Sequence, residues 1–479
     1  MSKHIERIRK EIMRESRTFV KTHKGMEIDK NSSRAFSYDS PRVSSEYMDC
    51  SLPLTFDNLS YCSLGCMYCF AYIQKTNNPS FNVKLHSVNN KVLIKTLRGK
   101  PPQGGRYASL HKHFISKRFL LHWGGLADPF CNFEKANNLS YPIIKVLAKE
   151  KYPTIFSLKG SAIFRPNFQD LFSKYAPNKN FAFQISIIAP SDKQSREIEI
   201  GVPVTSKRIR AIKMLHDMGY WTILRLRPFI IGITDDGLDE LLHKCKEAGI
   251  NAISTEFLAL DYRSNEKLLK RYKWIGELIG VKDTLKYFRE LSPSERGGYL
   301  RLNRLVKERF VKKIYKFCLD NHILFACSDP DFKELGMTSS CCGLPNKYPA
   351  NPEMLNYTKN QLTHYIKEAR RVWHKDGRIM SLRFDKVFKP EEDTYLNSKF
   401  LANDHIVVSS KCASERQFGS YLEYARNAWN NLRTPGNPRN YFHGKLMPVK
   451  ADENDNLIYV YTPSDYESRW VEEGLELKK

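Results

Sequence analysis

The sequence predicts an α/β protein built on a parallel sheet, arranged as a partial (β/α)6 TIM barrel. Six short apolar runs, rich in β-branched and aromatic residues, recur between residues 52 and 257. Amphipathic segments with helical spacing separate several of them. Strands that alternate with helices are typical of parallel α/β architecture.

The strand predictions follow from these runs in chain order. The predicted strands are 52–56, 119–123, 154–158, 181–187, 222–229 and 252–257, with 323–327 as a possible extension of the sheet. Helices are predicted at 132–149, 206–218 and 236–248, and the last two end just before Gly219 and Gly249, which suit C-caps. Ligands of such barrels lie at the C-terminal ends of the strands, so residues there are candidates for the functional site.

Four regions are expected along the chain. Residues 1–50 form a basic N-terminal arm with an early helix from Ile5 to Phe19, and residues 51–262 form the α/β core. Residues 263–348 form a helical extension, and residues 349–479 form a basic, aromatic C-terminal region.

The chain is strongly basic. Its 77 Lys and Arg residues outnumber 52 Asp and Glu residues, for a formal net charge of +25. Clustered cations bind phosphate backbones by releasing counterions, which favours a nucleic-acid partner. A composition rich in Lys, Asn and Ile offers the alternative that the basic surface has no partner.

Hydropathy and cysteine content indicate the cellular compartment in which the protein is expected. No apolar run approaches the length of a membrane span, and the charged N-terminus has no apolar signal region. Eleven cysteines without a secretory signal indicate reduced thiols. A cytoplasmic protein with no membrane partner is expected.

Cys62, Cys66 and Cys69 lie within eight residues, in a Cys-x3-Cys-x2-Cys arrangement. A [4Fe–4S] cluster usually takes four cysteines, so three leave one iron open to another ligand. Structural zinc is the alternative, with a fourth ligand from Cys50 or a distant histidine. The close spacing, the turn-forming Gly65 and the aromatic Tyr68 beside the third cysteine favour the cluster.

Other candidate residues follow the predicted strands. Gly124 and Gly125 come after the second strand and would let a ligand approach the backbone closely. Lys159 follows the third strand, where a lysine needs an anionic partner, and a surface lysine is the alternative. Asp128 lies in the same segment as the two glycines.

The fourth and fifth strands carry polar pairs with period two. Gln184 and Ser186 therefore share one face, as do Arg225 and Arg227. If these faces point inward, the first pair could hydrogen-bond a ligand, and the arginines would need a carboxylate or phosphate. Charges at a strand edge in solvent are the alternative.

The cysteine turn resembles that of the radical S-adenosylmethionine (SAM) enzymes, and residues 51–260 resemble their spore photoproduct lyase-like branch. Besides the cysteines, the resemblance rests on short segments in the family's order: Phe70-Ala-Tyr72, Ala127-Asp-Pro129, Lys159, Ser186, residues 197–208, Met218-Gly219, Leu226-Arg-Pro228 and Thr234-Asp235. It implies that Cys62, Cys66 and Cys69 hold a [4Fe–4S] cluster whose open iron binds SAM. Cleavage of SAM would then give a 5′-deoxyadenosyl radical that abstracts a hydrogen atom.

The resemblance also implies cofactor contacts. Gly124, Gly125, Lys159 and Ser186 would bind SAM, Asp128 would line its methionine end, and Tyr68 would offer a stacking surface for adenine. Arg225 and Arg227 are further candidates for the SAM carboxylate. An electron donor such as flavodoxin or ferredoxin would reduce the cluster.

One departure from that branch concerns a hydrogen-donating cysteine just after the second strand. Residues 123–127 contain no cysteine. Cys131, a few residues further on but in a different turn, is a candidate for that catalytic role. Cys341 and Cys342, with Cys327, could replace that thiol or bind a second metal. Buried packing cysteines are the alternative for this group.

The C-terminal stretch 421–445 interleaves aromatic residues with Arg and Lys. Such a stretch suits stacking on unpaired bases, although an aromatic core under a basic surface would give the same pattern. The leading hypothesis is a radical SAM enzyme that removes a hydrogen atom from nucleic acid, with DNA favoured over RNA, for repair or modification. The alternatives are a radical SAM enzyme acting on a peptide or small molecule, and a non-catalytic iron–sulfur protein that binds nucleic acid.

Overall fold

A computed structural model describes the greater part of the chain. The described residues are 7, 10, 28–29, 42–43, 49–59, 62–71, 85–100, 111–261, 266–292, 295–296, 299–346, 354, 361–389, 420–434 and 436–463. Apart from residues 7 and 10, the helix predicted between Ile5 and Phe19 lies outside them. Tyr72 and Cys412 lie outside them too.

Parallel strands form the centre of the described structure. They are β1 (Leu54–Phe56), β2 (Leu121–Trp123), β3 (Thr154–Leu158), β4 (Phe181–Ser186), β5 (Trp221–Phe229), β6 (Ala252–Phe257) and β7 (Leu324–Cys327). Each lies where an apolar run predicted it, and β7 extends the sheet as expected. These runs form strands because their side chains are buried on both faces, as parallel sheets require.

The strands lie side by side in chain order, from β1 to β7. All of these neighbours pair in parallel, and a short strand, Arg42–Val43, pairs antiparallel with β1. No ladder among the described residues joins the two edges, so the sheet is open. The α/β class and its incomplete barrel are therefore confirmed.

Helices lie between successive strands of the sheet, and four more follow β7 among the described residues. They are α1 (Asn90–Leu97), α2 (Asn132–Asn137), α3 (Tyr141–Lys149), α4 (Pro166–Tyr175), α5 (Asp192–Ile198), α6 (Thr205–Asp217), α7 (Leu238–Glu247), α8 (Glu266–Leu278), α9 (Thr284–Glu290), α10 (Arg304–Asp320), α11 (Gln361–Asp376), α12 (Phe384–Val387), α13 (Tyr421–Asn430) and α14 (Pro438–Tyr441). None of the described helices has the length and apolar character needed to span a bilayer.

The single helix predicted at 132–149 is wrong, because the chain forms α2 and α3 there. Asn138 ends α2 in the left-handed conformation, and Pro142 lies in the first turn of α3. The Glu134 carboxylate accepts hydrogen bonds from the backbone N–H of Ser140 and of Tyr141. The break is thus stabilised by a side chain that satisfies the first amides of α3.

The two faces of the sheet differ in chemistry. On the outer face, apolar side chains such as Phe156, Phe183 and Leu224 pack against the helices in the main core. On the inner face, the lower parts of β3 to β6 carry apolar residues: Ile155, Ala182, Ile223 and Ala252. The upper part of the inner face carries polar and charged side chains, which therefore face the interior of the barrel.

Residues 338–344 close the lower end of the barrel. Three consecutive carbonyls of this segment accept hydrogen bonds from the inner face: Ser254 Oγ donates to Cys341 O at 2.9 Å, Gln184 Nε2 to Cys342 O at 2.7 Å, and Trp221 Nε1 to Gly343 O at 3.0 Å. Leu344 packs with the apolar lower residues of the strands. This segment is called the plug below.

A buried network of charges joins the C-terminal region to the core. Lys307 on α10 is fully buried and lies 2.8 Å from Asp329, and it also pairs with Asp331. His443 contacts Asp331 from the other side, and Lys445 pairs with Glu334. The strand Leu446–Ala451 begins directly after Lys445. It pairs antiparallel with Leu457–Tyr461, which also pairs antiparallel with Ser381–Leu382.

Replacing Lys307 by methionine is expected to lower the free energy of unfolding by about 3–5 kcal/mol, because it leaves buried carboxylates without their cation. Urea denaturation measures the change. The matched control is Lys316→Met on the same helix, where an exposed pair with Asp320 lies at 3.1 Å and the expected loss is about 0.5 kcal/mol or less. Equal losses in the two variants would contradict a stabilising role for the buried network.

Candidate functional site

The three clustered cysteines lie in a turn that follows β1 at the C-terminal edge of the sheet. Cys69 N donates to Cys66 O at 3.2 Å, and Gly65 has φ +62°, the left-handed conformation that this turn requires. Each of the three cysteines is partly exposed, and none of the described cysteines forms a disulfide. This segment, residues 62–69, is called the cysteine turn.

Backbone hydrogen bonds fasten the cysteine turn to the loop after α5. Met67 N donates to Ile198 O at 3.1 Å, and Gly201 N donates to Leu64 O at 3.0 Å. A Cβ on Gly201 would lie 2.8 Å from that same carbonyl oxygen, so only glycine fits. Arg271 on α8 donates to Cys66 O at 2.9 Å. The turn is thus held from the sheet side and from the helical extension.

Lys159 lies beside the cysteine turn, directly after β3. Its Nζ is 3.7 Å from Cys66 Sγ and 3.1 Å from Glu199 Oε1, and it also donates to the Tyr68 hydroxyl. The ammonium lies 4.5 Å from the centre of the Tyr68 ring. The cation predicted at the barrel mouth is therefore next to the cysteines that the spacing singled out.

Glu199 balances that cation and was not identified from the sequence as a site residue. Its fully buried carboxylate pairs with Lys159 and with Arg208, and accepts a hydrogen bond from Tyr68. Burial alone would raise the pKa of Glu199, but the charges of Arg208 and Lys159 outweigh it and lower the pKa to about 2. Arg208 also donates to Ser186 O at 2.7 Å, which links the pair to β4.

The Cys62 and Cys66 thiols lie close to charged groups and to other thiols, although both residues are partly exposed. Burial raises the pKa of Cys66 to about 11, although the nearby Lys159 charge opposes the shift. Cys62 donates a hydrogen bond to the Cys131 thiol, and this bond and burial raise the pKa of Cys62. A bound metal would compete with these protons for the thiolates, since metal binding requires the deprotonated form.

Within the described residues, no group of three or more His, Cys, Asp or Glu side chains is close enough to hold a single metal ion. A [4Fe–4S] cluster is larger than one ion and takes one cysteine at each of several irons. Three cysteines on one exposed turn, with a neighbouring cation to offset thiolate charge, fit that requirement.

Two aspartates shape the loops around the turn. Asp57, just after β1, accepts hydrogen bonds from the backbone N–H of Leu126 and of Ala127, each at 2.9 Å. Asp128 accepts from Phe130 N at 2.7 Å, from Gly160 N at 2.9 Å and from Lys159 N. Asp128 thus fixes the backbone that carries Lys159, and burial raises the pKa of its carboxyl group.

Gly124 has φ +102°, and a Cβ there would lie 2.2 Å from Ser157 O. The glycine is therefore required for the close approach of the β2 loop to β3. Gly125 has no such restriction, since its nearest neighbour beyond the adjacent residues is Asp57 Oδ2 at 3.9 Å. The Gly125 backbone is partly exposed.

Two polar pairs were predicted to share one face of a strand: Gln184 with Ser186 on β4, and Arg225 with Arg227 on β5. Both pairs lie on the inner face of the sheet, as the two-residue period of a strand requires. Ser186 pairs in register with Arg225, and Arg225 pairs with Ser254 on β6. Leu158, at the end of β3, pairs with Ile185 on β4. Lys159 follows Leu158 and Ser186 follows Ile185, so Lys159 continues the same row. A row of Lys159, Ser186, Arg225 and Ser254 thus crosses the upper inner face.

The second group of cysteines is divided between two parts of the structure. The Cys341 carbonyl accepts hydrogen bonds from Arg227 and Ser254, so the pair sits at the top of the plug. Cys342 is buried, and a hydrogen bond with Cys341 and burial raise its pKa. Cys327 packs in the main core, in a different apolar cluster from Cys342.

The C-terminal aromatic stretch is largely structural. Trp429 and Phe442 are fully buried, and Trp429 Nε1 donates to Leu457 O. Lys445 is buried against Glu334. These three residues cannot stack on bases or contact phosphates, so for them the structure favours the alternative of an aromatic core. The spacing of the aromatic residues in the sequence could not distinguish a buried core from a surface that stacks on nucleic-acid bases.

No protein-family model matches the chain, and no curated protein matches it in sequence. Solved structures do match. A spore photoproduct lyase mutant has a TM-score of 0.42 at 13% identity, covering 56% of this chain and 74% of that one. A second lyase mutant, with bound AdoMet and dinucleoside spore photoproduct, has a TM-score of 0.41 at 13% identity, covering 65% and 92%.

A third match is SuiB of Streptococcus suis bound to S-adenosylmethionine. It has a TM-score of 0.35 at 13% identity and covers 66% of this chain and 54% of that one. Spore photoproduct lyase and SuiB are radical SAM enzymes, the superfamily that the cysteine turn resembles. At these TM-scores the likeness is partial, and no property of those proteins is transferred to this chain from it.

Replacing Glu199 by glutamine is expected to destabilise the protein by about 3–5 kcal/mol, because Arg208 and Lys159 lose their shared buried counter-charge. The free energy of unfolding in urea measures this loss. Glu240→Gln is the matched control: its partner Lys244 is exposed on α7, and the expected change is about 0.5 kcal/mol or less. A Glu199→Gln variant as stable as this control would show that the carboxylate is not what holds the two cations.

Proposed function

We propose that this chain is a radical SAM enzyme that acts on nucleic acid, with DNA favoured over RNA. The observation that supports this most strongly is the position of Lys159 beside Cys66, at the C-terminal edge of an open barrel. Three cysteines and a cation at the ligand-binding edge of this fold suit a cluster with an open iron and an anionic cofactor.

In this proposal Cys62, Cys66 and Cys69 hold a [4Fe–4S] cluster, and SAM binds at the barrel mouth. The cluster would supply the electron that cleaves SAM and so generate the radical that abstracts hydrogen from the substrate. The hard chemistry belongs to the cofactors, and the work of the chain is to bind, orient and exclude water.

The residues around the turn suit that work. Glu199 holds the Lys159 ammonium, whose charge would attract the SAM carboxylate. Gly125 leaves room for the methionine end. Ser186, buried in the same row as Lys159, could hydrogen-bond the ribose. Phe70, 50% exposed just beyond the last cysteine, would give the site an apolar wall.

Nucleic acid is supported as the substrate by the net charge of +25, which favours a polyanionic partner. A base stacked in a duplex would be out of reach inside a barrel, so the target base would be flipped or unpaired. The Cys341–Cys342 pair is the proposed hydrogen donor. A thiol hydrogen atom would pass to the substrate carbon radical and leave a sulfur-centred radical on the protein.

Anaerobic reconstitution is expected to give about four irons per chain, and dithionite with SAM should then yield 5′-deoxyadenosine. A Cys62→Ala/Cys66→Ala/Cys69→Ala variant should lose the iron and the product, because the ligands are gone. Iron analysis, absorbance spectroscopy and chromatography measure these outcomes.

Two controls accompany that test. Cys245→Ala, on the buried face of α7, should keep full iron content. A Cys341→Ala/Cys342→Ala variant should also keep its iron and its 5′-deoxyadenosine, while losing turnover of substrate. Zinc in place of iron at the cysteine turn would contradict the proposal, and an intact cluster without product would favour a binding protein.

Nucleic-acid binding should weaken steeply with salt. For single-stranded DNA the slope of log affinity against log salt is expected to be roughly −0.7 for each phosphate contacted. Fluorescence anisotropy with DNA and RNA oligonucleotides of equal length, across a salt series, gives this slope. Absence of binding, or a slope near zero, would instead support a peptide or small-molecule substrate.

A further inference from the structure

The Arg225 side chain lies inside the barrel without an acceptor among the described residues. Its Nε is buried and has no hydrogen-bond partner. No described residue accepts a hydrogen bond from the rest of its guanidinium group. A buried donor without a partner is costly, and native proteins that keep one usually use it to bind an ion, water or ligand.

The neighbours of Arg225 do not neutralise it. Arg227, two residues along the same face, donates to the Cys341 carbonyl of the plug. Glu256 acts on Arg225 electrostatically, but its carboxylate already lies 3.5 Å from Arg301 and accepts from Ser328 at 2.7 Å. Three arginines thus share one carboxylate, and the upper inner face keeps an excess of positive charge.

Burial and the Arg227 charge lower the pKa of Arg225 to about 10, so the group is still protonated at neutral pH. The plug holds Arg227 in place from below, and the backbone of β5 fixes both side chains on one face. The positive charge is therefore built into the strand and not carried by a mobile loop.

The position of Arg225 separates it from the proposed SAM carboxylate. Lys159 is the cation next to the cysteine turn, at 3.7 Å from Cys66 Sγ. Arg225 lies in the same row but two strands further along, which is roughly 10 Å at the usual strand spacing. One row therefore offers two anion positions, one near the cysteines and one on β5, further across the barrel.

We propose that Arg225, supported by Arg227, binds a phosphodiester group of the substrate. This assignment rests on the proposed function for the identity of the ligand as nucleic acid. A single carboxylate is satisfied by one guanidinium fork, whereas the non-bridging oxygens of a phosphodiester can accept hydrogen bonds from two neighbouring arginines. The site would hold the backbone of the substrate while the target base lies near the cysteine turn.

The test uses the reconstituted full chain with Arg225→Met, which removes the charged guanidinium group and keeps an unbranched, flexible side chain. The probe is a single-stranded DNA octamer of mixed sequence, followed by anisotropy over a salt series. The variant is expected to reduce the salt slope by roughly 0.7, the value of one phosphate contact, and to weaken binding about tenfold at low salt. Arg225→Lys should keep the slope and lose part of the affinity.

Arg210→Met is the matched control, because Arg210 is an exposed arginine on α6, outside the barrel. It is expected to leave the slope unchanged. The Arg225→Met protein should also unfold at a temperature no lower than the wild type, because the substitution removes an uncompensated charge. A wild-type slope in a folded Arg225→Met protein would overturn the proposal.

A second measurement distinguishes the two anion positions. Binding of SAM is compared with binding of 5′-methylthioadenosine, which lacks the carboxylate. Arg225→Met should leave both affinities unchanged, while Lys159→Met should weaken only SAM. If Arg225→Met weakens SAM and not 5′-methylthioadenosine, the arginine binds the cofactor and the proposal is overturned.

These readouts do not depend on turnover. If the reconstituted protein forms no 5′-deoxyadenosine, the proposed function fails while the change in salt slope can still be measured. If 5′-deoxyadenosine forms but the slope does not respond to Arg225, the phosphate site fails and the radical chemistry stands.

Discussion

The buried carboxylate of Glu199 is the interaction on which the candidate site depends. It joins Arg208, which is hydrogen-bonded to the end of β4, to Lys159, which follows β3 and touches the cysteine turn. Separating these two cations from the acid would be unfavourable in free energy, because each group left alone would be a buried, uncompensated charge. The cysteine turn is thereby tied to the sheet.

The same logic separates satisfied from unsatisfied polar groups inside the barrel. The plug uses three backbone carbonyls to satisfy Gln184, Ser254 and Trp221, so these polar side chains have partners within the protein. Lys159, beside the cysteine turn, is satisfied by Glu199. Arg225 lies in the same row as Lys159 and Ser254, and its guanidinium group has no acceptor among the described residues.

The strands could be predicted because burial on both faces leaves continuous apolar runs, and the cysteine turn because its spacing is local. Other features could not be predicted in this way. The division of residues 132–149 depends on Glu134 capping α3, and the importance of Glu199 depends on Arg208 and Lys159 lying close in space. The buried Trp429 had the same sequence pattern as an exposed stacking residue. Pairing between distant charges, and which aromatic residues are covered, are properties of the folded chain.

The uncompensated charge has a consequence for stability as well as binding. A chain selected for stability alone would place an apolar residue at position 225, since burial of an arginine without an acceptor is unfavourable. The neighbouring inner-face positions Ile223 and Ala252 show that the strands accept apolar residues a short distance below. Proteins tolerate such costs mainly where a ligand offsets them, because sites that must bind charge cannot also be optimised for the empty state. The arginine pair is therefore better explained by an anion that enters from the mouth than by packing.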